Sequence, residues 1–160
     1  MFSSIAHSIK KNGIIAFTVM AVTSGYSFKN NFNDQDWLTW TNKCLDQSYD
    51  PSADKKLKKW ELTVTPTYFL RLRKTYNKNK QVYYSFNLNK LKEINYTGNT
   101  KKGILQLKAL ADDIIVQSYN DRKGDVDSMS AVLNIPLKNM EAERLDSLQE
   151  ALDYFKAKGL

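Results

Sequence analysis

The sequence predicts a mainly β (α+β) domain: a bent antiparallel sheet or small barrel of 5–7 strands, closed by one C-terminal amphipathic helix. Strand-like segments follow one another between Trp60 and Leu137, and one narrow apolar stripe runs through residues 140–158. Aromatic side chains make up 12% of the chain, a density that favours pleated surfaces. Because the strands come first in the chain and one helix comes last, we expect this helix to cover the open end or face of a sheet.

Length and composition support a single folded domain with a basic surface. A chain of 160 residues suits one domain with tails, and 42% apolar residues argue against disorder. The net charge of +7 is unevenly distributed: residues 55–110 carry 14 basic and 2 acidic side chains, whereas residues 111–160 carry 6 and 10. Because charge asymmetry bears on partners rather than on fold, the first strands are the predicted binding region.

Residues 1–27 are typical of a signal peptide or leader, which predicts export to the periplasm or the extracellular space. Lys10 and Lys11 precede an apolar run over residues 13–22, which is shorter than the roughly 20 residues needed to span a bilayer. The small residues of a cleavage site follow: Thr23, Ser24, Gly25 and Ser27. The alternative is an N-terminal helix or strand of the fold.

Residues 28–59 are predicted to form a polar linker and a short helix. The helical spacing covers residues 34–45, and Asn33 or Asp34 can cap the first turn. Its apolar stripe consists of Trp37, Trp40, Thr41, Cys44 and Leu45. Cys44 is the only cysteine, which excludes an intrachain disulfide, and its position on the stripe predicts burial.

Residues 60–160 are predicted to form the barrel and its helix. Trp60, Leu62 and Val64 alternate as in a half-buried strand. Because Pro66 follows, this strand either ends there or lies at the edge of the sheet. Over residues 68–76 the alternation continues, with Lys74 as the one polar residue in the apolar phase. The later segments are a polar hairpin connection at 77–80, a strand at 82–86, a short turn of helix or a bend before 94–96, strands at 104–110 and 114–119, a charged loop at 120–127 and a last strand at 129–137.

The final helix is predicted over residues 140–158. Asn139 is the expected N-cap, and Glu141 and Glu143 lie in the first turn, where the helix dipole favours anions. Gly159 can end the helix. The buried stripe consists of Leu145, Leu148, Leu152 and Phe155.

Three parts of the chain together resemble a pleckstrin-homology-like barrel: the strands of residues 60–76, the segment 84–94 and the helix of residues 139–158. The resemblance implies a bent antiparallel sheet with a filled core and one C-terminal helix that plugs one end. Some members of that family bind anionic headgroups through basic residues of the first hairpin. A calycin-like barrel and a cystatin-like sheet are the alternatives.

The basic residues of the first hairpin are the candidate site for an anion or a partner. They are Arg71, Arg73, Lys74, Lys78 and Lys80. We expect a protein or an anionic surface, such as a lipid headgroup or a polysaccharide, since each basic residue near an anionic surface contributes about 1 kcal/mol. No nucleic acid is expected, because Tyr84 and Phe86 alternate in phase with Val82 as core residues do. The sequence does not fix the oligomeric state.

No catalytic, cofactor-binding or metal-binding residue is predicted. His7, the only histidine, lies in the predicted leader, which removes the commonest general base from a processed chain. The spacing of Asp121, Asp125 and Asp127 is not that of an EF-hand loop. The sequence therefore predicts a non-enzymatic exported binding or assembly module. The alternative is a small carrier that holds an apolar ligand inside a calycin-like barrel.

Overall fold

A computed structural model describes residues 31–159, so the predicted leader at residues 1–27 lies outside the described part of the chain. The elements are α1 (Asp34–Ser48), β1 (Leu57–Val64), β2 (Phe69–Tyr76), β3 (Gln81–Asn87), β4 (Leu91–Gly98), β5 (Lys102–Ala109), β6 (Ile114–Tyr119), β7 (Asp127–Ser130), β8 (Val132–Lys138) and α2 (Ala142–Lys158).

The strands form two antiparallel sheets. The larger sheet has the order β1-β2-β3-β6-β7, and the smaller one has the order β4-β5-β8. Over residues 31–159 their hydrogen bonds do not close a barrel. The predicted fold class, a mainly β domain with a bent antiparallel sheet and a C-terminal helix, is confirmed.

The predicted last strand over residues 129–137 is wrong as a single strand. It is interrupted at Ala131, so that β7 pairs with β6 in the larger sheet and β8 pairs with β5 in the smaller one. The carbonyl of Ala131 accepts a hydrogen bond from the Ala109 N–H at 2.8 Å, at the point where the chain changes sheets. Met129 and Leu133 share one alternation phase, although Met129 is 53% exposed and Leu133 is buried. The pattern alone therefore could not mark the break.

The first predicted helix is confirmed, and it closes part of the free edge of the larger sheet. The stripe that contains Trp37 and Leu45 is buried, with Cys44 only 2% exposed, as predicted. The Asn42 amide donates to the Val64 carbonyl at 3.0 Å and accepts from the Val64 N–H at 2.7 Å. Because β1 is an edge strand, these two hydrogen bonds occupy backbone groups that another strand would otherwise use.

The C-terminal helix is confirmed, but its predicted cap is wrong. Helix α2 begins at Ala142 with Glu141 at the N-cap position. Asn139 instead adopts a left-handed φ of 52° and donates its N–H to the Lys101 carbonyl, because it belongs to the turn that leads out of β8. At the other end, Gly159 occupies the C-cap position, and its N–H donates to the Phe155 carbonyl at 3.0 Å in the last helical turn.

The core lies between the sheets and the buried stripes of the two helices. Leu148, Leu152 and Phe155 of α2 are fully buried, as are Leu70 and Leu72 of β2. The two helices also make a polar contact, in which the Arg144 guanidinium of α2 donates to the Gln47 side chain of α1 at 2.9 Å. The two helices therefore pack on the side of the β1–β2 hairpin that carries Leu70 and Leu72, and the opposite side of this hairpin is left free of them.

Candidate functional site

The turn between β1 and β2, which precedes the strand that carries Arg71 and Arg73, is strained but well anchored. The Thr65 N–H donates to the Phe69 carbonyl at 2.9 Å across the turn. Tyr68 has a φ of 62°, in the left-handed region that a bulky side chain rarely adopts. Its hydroxyl donates to Asp34 at 3.0 Å, and its ring stacks on Phe155 with centroids 5.8 Å apart. These contacts fix the conformation of the turn, which determines which side chains of β2 face the core and which face outward.

That phase separates the residues of β2 between two faces. Leu70 and Leu72 are fully buried on the face that meets the core. Arg71 and Arg73 therefore project from the opposite surface of the larger sheet, which we call the outer face. The Arg73 side chain is 55% exposed.

The two arginines lie over aromatic rings and have little acidic compensation. Arg71 is 5.8 Å from the centre of the Phe69 ring, and Arg73 is 5.8 Å from the centre of the Tyr83 ring. Glu61 is the one acid near them, 4.0 Å from Arg73, and Arg71 has no acidic partner within residues 31–159. A guanidinium can bind the oxygens of a carboxylate, phosphate or sulfate group in a bidentate manner. This pair is the part of the predicted site best suited to bind an anion.

Lys74 does not belong to the outer face. Its side chain is 10% exposed, and its Nζ donates to Asp54 at 2.5 Å. The Asp54 carboxylate also accepts a hydrogen bond from the Tyr49 hydroxyl at 3.3 Å. The sequence carried the signal for this position, because Lys74 occupies the same alternation phase as the buried Leu72.

The two lysines between β2 and β3 differ in whether an acidic side chain pairs with them. Lys80 forms an ion pair with Asp121 at 2.6 Å, and this contact holds the pKa of the Asp121 carboxyl below its ordinary value. Lys78 lies in the turn after β2 with a φ of 62°; it is exposed and forms no ion pair with another described residue. Of the five predicted residues, the fold thus leaves Arg71, Arg73 and Lys78 available, while Lys74 and Lys80 are neutralised.

Sequence reasoning missed the apolar half of the outer face. Cross-strand pairing places Arg71 beside Ser85, Ser85 beside Ile115, and Ile115 beside Met129. Ile115 is 36% exposed and Met129 is 53% exposed. Ile115 lies in a continuous apolar run, Ile114 to Val116, so alternation could not show which of these side chains faces outward. The outer face therefore combines guanidinium groups with an exposed aliphatic pair.

A second polar cluster lies on the inner face of the same sheet, around Asp54. Burial and the Asp54 charge raise the pKa of Tyr76 to about 12 and raise that of Tyr84 as well. These hydroxyls therefore remain protonated at neutral pH. Tyr49 stacks on Trp60 with centroids 5.4 Å apart, and the buried Nε1 of Trp60 has no acceptor among the described residues.

Residues 31–159 contain neither a metal-binding cluster nor a membrane-spanning helix. No three His, Cys, Asp or Glu side chains converge there as a metal-binding group would. Neither of the helices in residues 31–159 has the length and apolar character needed to cross a bilayer.

Comparison of the chain with protein-family models, with curated proteins and with solved structures found no match. The resemblance to a pleckstrin-homology-like barrel therefore stays a prediction.

Proposed function

We propose that this protein is an exported, non-enzymatic binding or assembly module that recognises an acidic partner through the outer face. The observation that carries the proposal is the pair Arg71 and Arg73, which lie side by side, exposed, each over an aromatic ring. Among residues 31–159 only Glu61 compensates this charge, whereas Lys74 and Lys80 have close acidic partners. Export, from the leader-like N-terminus, and kinship with pleckstrin-homology-like domains are parts of the same proposal.

The face is a better recognition surface than the strand edge beside it. A partner that adds a strand needs free backbone N–H and C=O groups. On β1 the Asn42 side chain already pairs with both groups of Val64. Lys58 and Lys59 also charge this edge, which discourages strand addition. Recognition by side chains on the outer face meets neither obstacle.

The test is retention of the full chain on immobilised heparin, which serves as a generic polyanion. The variant carries Arg71→Gln and Arg73→Gln, and the matched control carries Lys90→Gln and Lys92→Gln. The control lysines are exposed and lie outside the hairpin, so both variants lose the same charge. At about 1 kcal/mol for each cation near an anionic surface, the arginine variant should bind roughly 30-fold more weakly.

The comparison between the two variants decides the question. A large loss for the arginine variant and a small loss for the lysine variant would support a specific site. Equal losses would show that heparin senses only net charge, and the proposal would then be wrong. Thermal unfolding of each variant checks that the fold is intact.

The small carrier is the second candidate, and the unpaired Trp60 N–H favours it. A ligand with a hydrogen-bond acceptor could use this buried donor, next to the ring of Tyr49. Native mass spectrometry of protein purified from its own host tests this candidate. A co-purifying small mass that is lost in a Trp60→Phe variant would support it, and its absence from the wild-type protein would count against it.

A further inference from the structure

We propose that the partner is a second copy of this chain, which supplies Asp127 as the acid, and that the outer faces of two larger sheets pack against each other about a two-fold axis. The inference rests on the proposed function, because it assigns a partner to the same arginines. Most soluble homo-oligomers are two-fold dimers, and their interfaces must be self-complementary. The outer face has this property.

Strand register defines one straight row of side chains across the outer face. Glu61 of β1 pairs with Arg73 of β2, which pairs with Tyr83 of β3. Tyr83 pairs with Gln117 of β6, which pairs with Asp127 of β7. The row thus has a cation on the second strand and an acid on the fifth.

These two charges are placed symmetrically in the sheet. The midline between β3 and β6 has β2 on one side and β7 on the other, and the two strands lie equally far from it. A two-fold axis along this midline, parallel to the strands, turns one outer face onto another. It brings Arg73 of one copy over Asp127 of the other, and it does so twice.

The Asp127 carboxylate is already oriented by a hydrogen bond within its own chain. Its Oδ1 accepts a hydrogen bond from the Gln117 amide at 3.3 Å, and Gln117 in turn accepts one from the Tyr119 hydroxyl at 3.1 Å. These bonds orient the carboxylate, but no cation pairs with it in the part of the chain that the structure describes. An Arg73 guanidinium from a second copy would supply the missing positive charge.

The neighbouring row supplies apolar contact for the same arrangement. The axis places Ile115 over Ser85 of the second copy and Met129 over the aliphatic part of Arg71. Aromatic residues, Met and Arg are enriched in protein interfaces. Two of the four arginines in the chain lie on this face.

The area of the outer face indicates a small interface between the two copies. Five strands about 4.8 Å apart, paired over a few residues, offer on the order of 500 Å² per copy. The total of roughly 1,000 Å² is at the low end for specific complexes. We therefore expect a weak dimer whose population depends on concentration and on salt.

The charges also favour a second copy over an anionic bilayer. A bilayer surface would be repelled by Glu61 and Asp127, which flank the row at both ends. A second copy satisfies both signs of charge at once. Heparin, as a polyanion, would compete with the second copy for the arginines.

Sedimentation equilibrium of the full chain tests the inference, with Arg73→Asp, Asp127→Arg and the double swap of both residues. We expect each single variant to weaken dimerisation by about tenfold or more, because it places like charges opposite each other. The double swap should restore the dimer, because the two charges exchange places. Lys90→Glu is the control for an unrelated charge reversal and should leave the dimer unchanged.

A monomeric wild-type protein at every concentration would overturn the inference, and so would a double swap no better than the single variants. A wild-type monomer that binds phosphatidylglycerol vesicles through Arg71 and Arg73 would also overturn it, and would identify lipid as the partner. The two proposals can fail separately. A monomer that still loses heparin retention on Arg71→Gln and Arg73→Gln refutes the dimer and keeps the proposed function.

Discussion

Asp54→Asn is the substitution whose effect the structure predicts most sharply. It removes the charge that Lys74 pairs with at 2.5 Å, while an amide oxygen can still accept the Tyr49 hydroxyl. The Lys74 side chain is 10% exposed and that of Asp54 is 27% exposed, so both charges are largely shielded from water. The variant therefore leaves a buried ammonium group without its counter-charge.

The cost follows from the burial of the pair. Breaking a buried ion pair by removing one partner costs about 3–5 kcal/mol. Because Asp54 keeps some contact with water, we expect a loss of about 3 kcal/mol in the free energy of unfolding. Adding Lys74→Met to Asp54→Asn removes the stranded charge and should recover most of this loss, since apolar replacements of buried pairs are often neutral.

Urea unfolding monitored by Trp fluorescence measures these differences. Asp112→Asn is the matched control, because this exposed acid makes no ion pair with another described residue, and we expect a change within about 0.5 kcal/mol. If Asp54→Asn cost no more than Asp112→Asn, Lys74 would be solvated rather than buried, and its exclusion from the outer face would be wrong.

Two further predictions concern the C-terminal helix and its anchor. Phe155→Ala should lower the free energy of unfolding by about 3–5 kcal/mol in the same urea assay, because the ring is fully buried and stacks on Tyr68. The hydroxyls of Tyr154 and Tyr68 lower the pKa of Asp34, so its contribution to stability should be complete above the ordinary value near 3.8 and should fade at lower pH. Thermal unfolding of wild type and Asp34→Asn across this range should show a difference that shrinks as the pH falls; a difference that grows would contradict it.

The local pattern was enough to predict most of the fold. The spacing of Trp37 and Leu45 gave α1, and that of Leu148 and Leu152 gave α2, since each helix buries one stripe. The change of sheet at Ala131 could not be predicted, because the alternation keeps its phase across it. Which strands become neighbours depends on long-range pairing, and a period-2 pattern carries no such information.

The candidate site was predictable only in part, for a related reason. Alternation assigns a face to each residue, so it correctly separates Arg71 from Leu72 and already places Lys74 inside. It does not show that Asp121 neutralises Lys80, because that contact joins two loops far apart in the chain. Nor does it reveal Ile115 beside Met129, because their pairing depends on the order of strands in the sheet.

A titration of ¹⁵N-labelled protein with a sulfated heparin oligosaccharide, followed by amide chemical shifts, tests whether the outer face binds the anion. We expect saturable shifts at Arg71, Arg73 and Tyr83, with little change at Lys90 and Lys92. Shifts that cluster on the smaller sheet, or that stay diffuse over every lysine, would contradict recognition through the outer face.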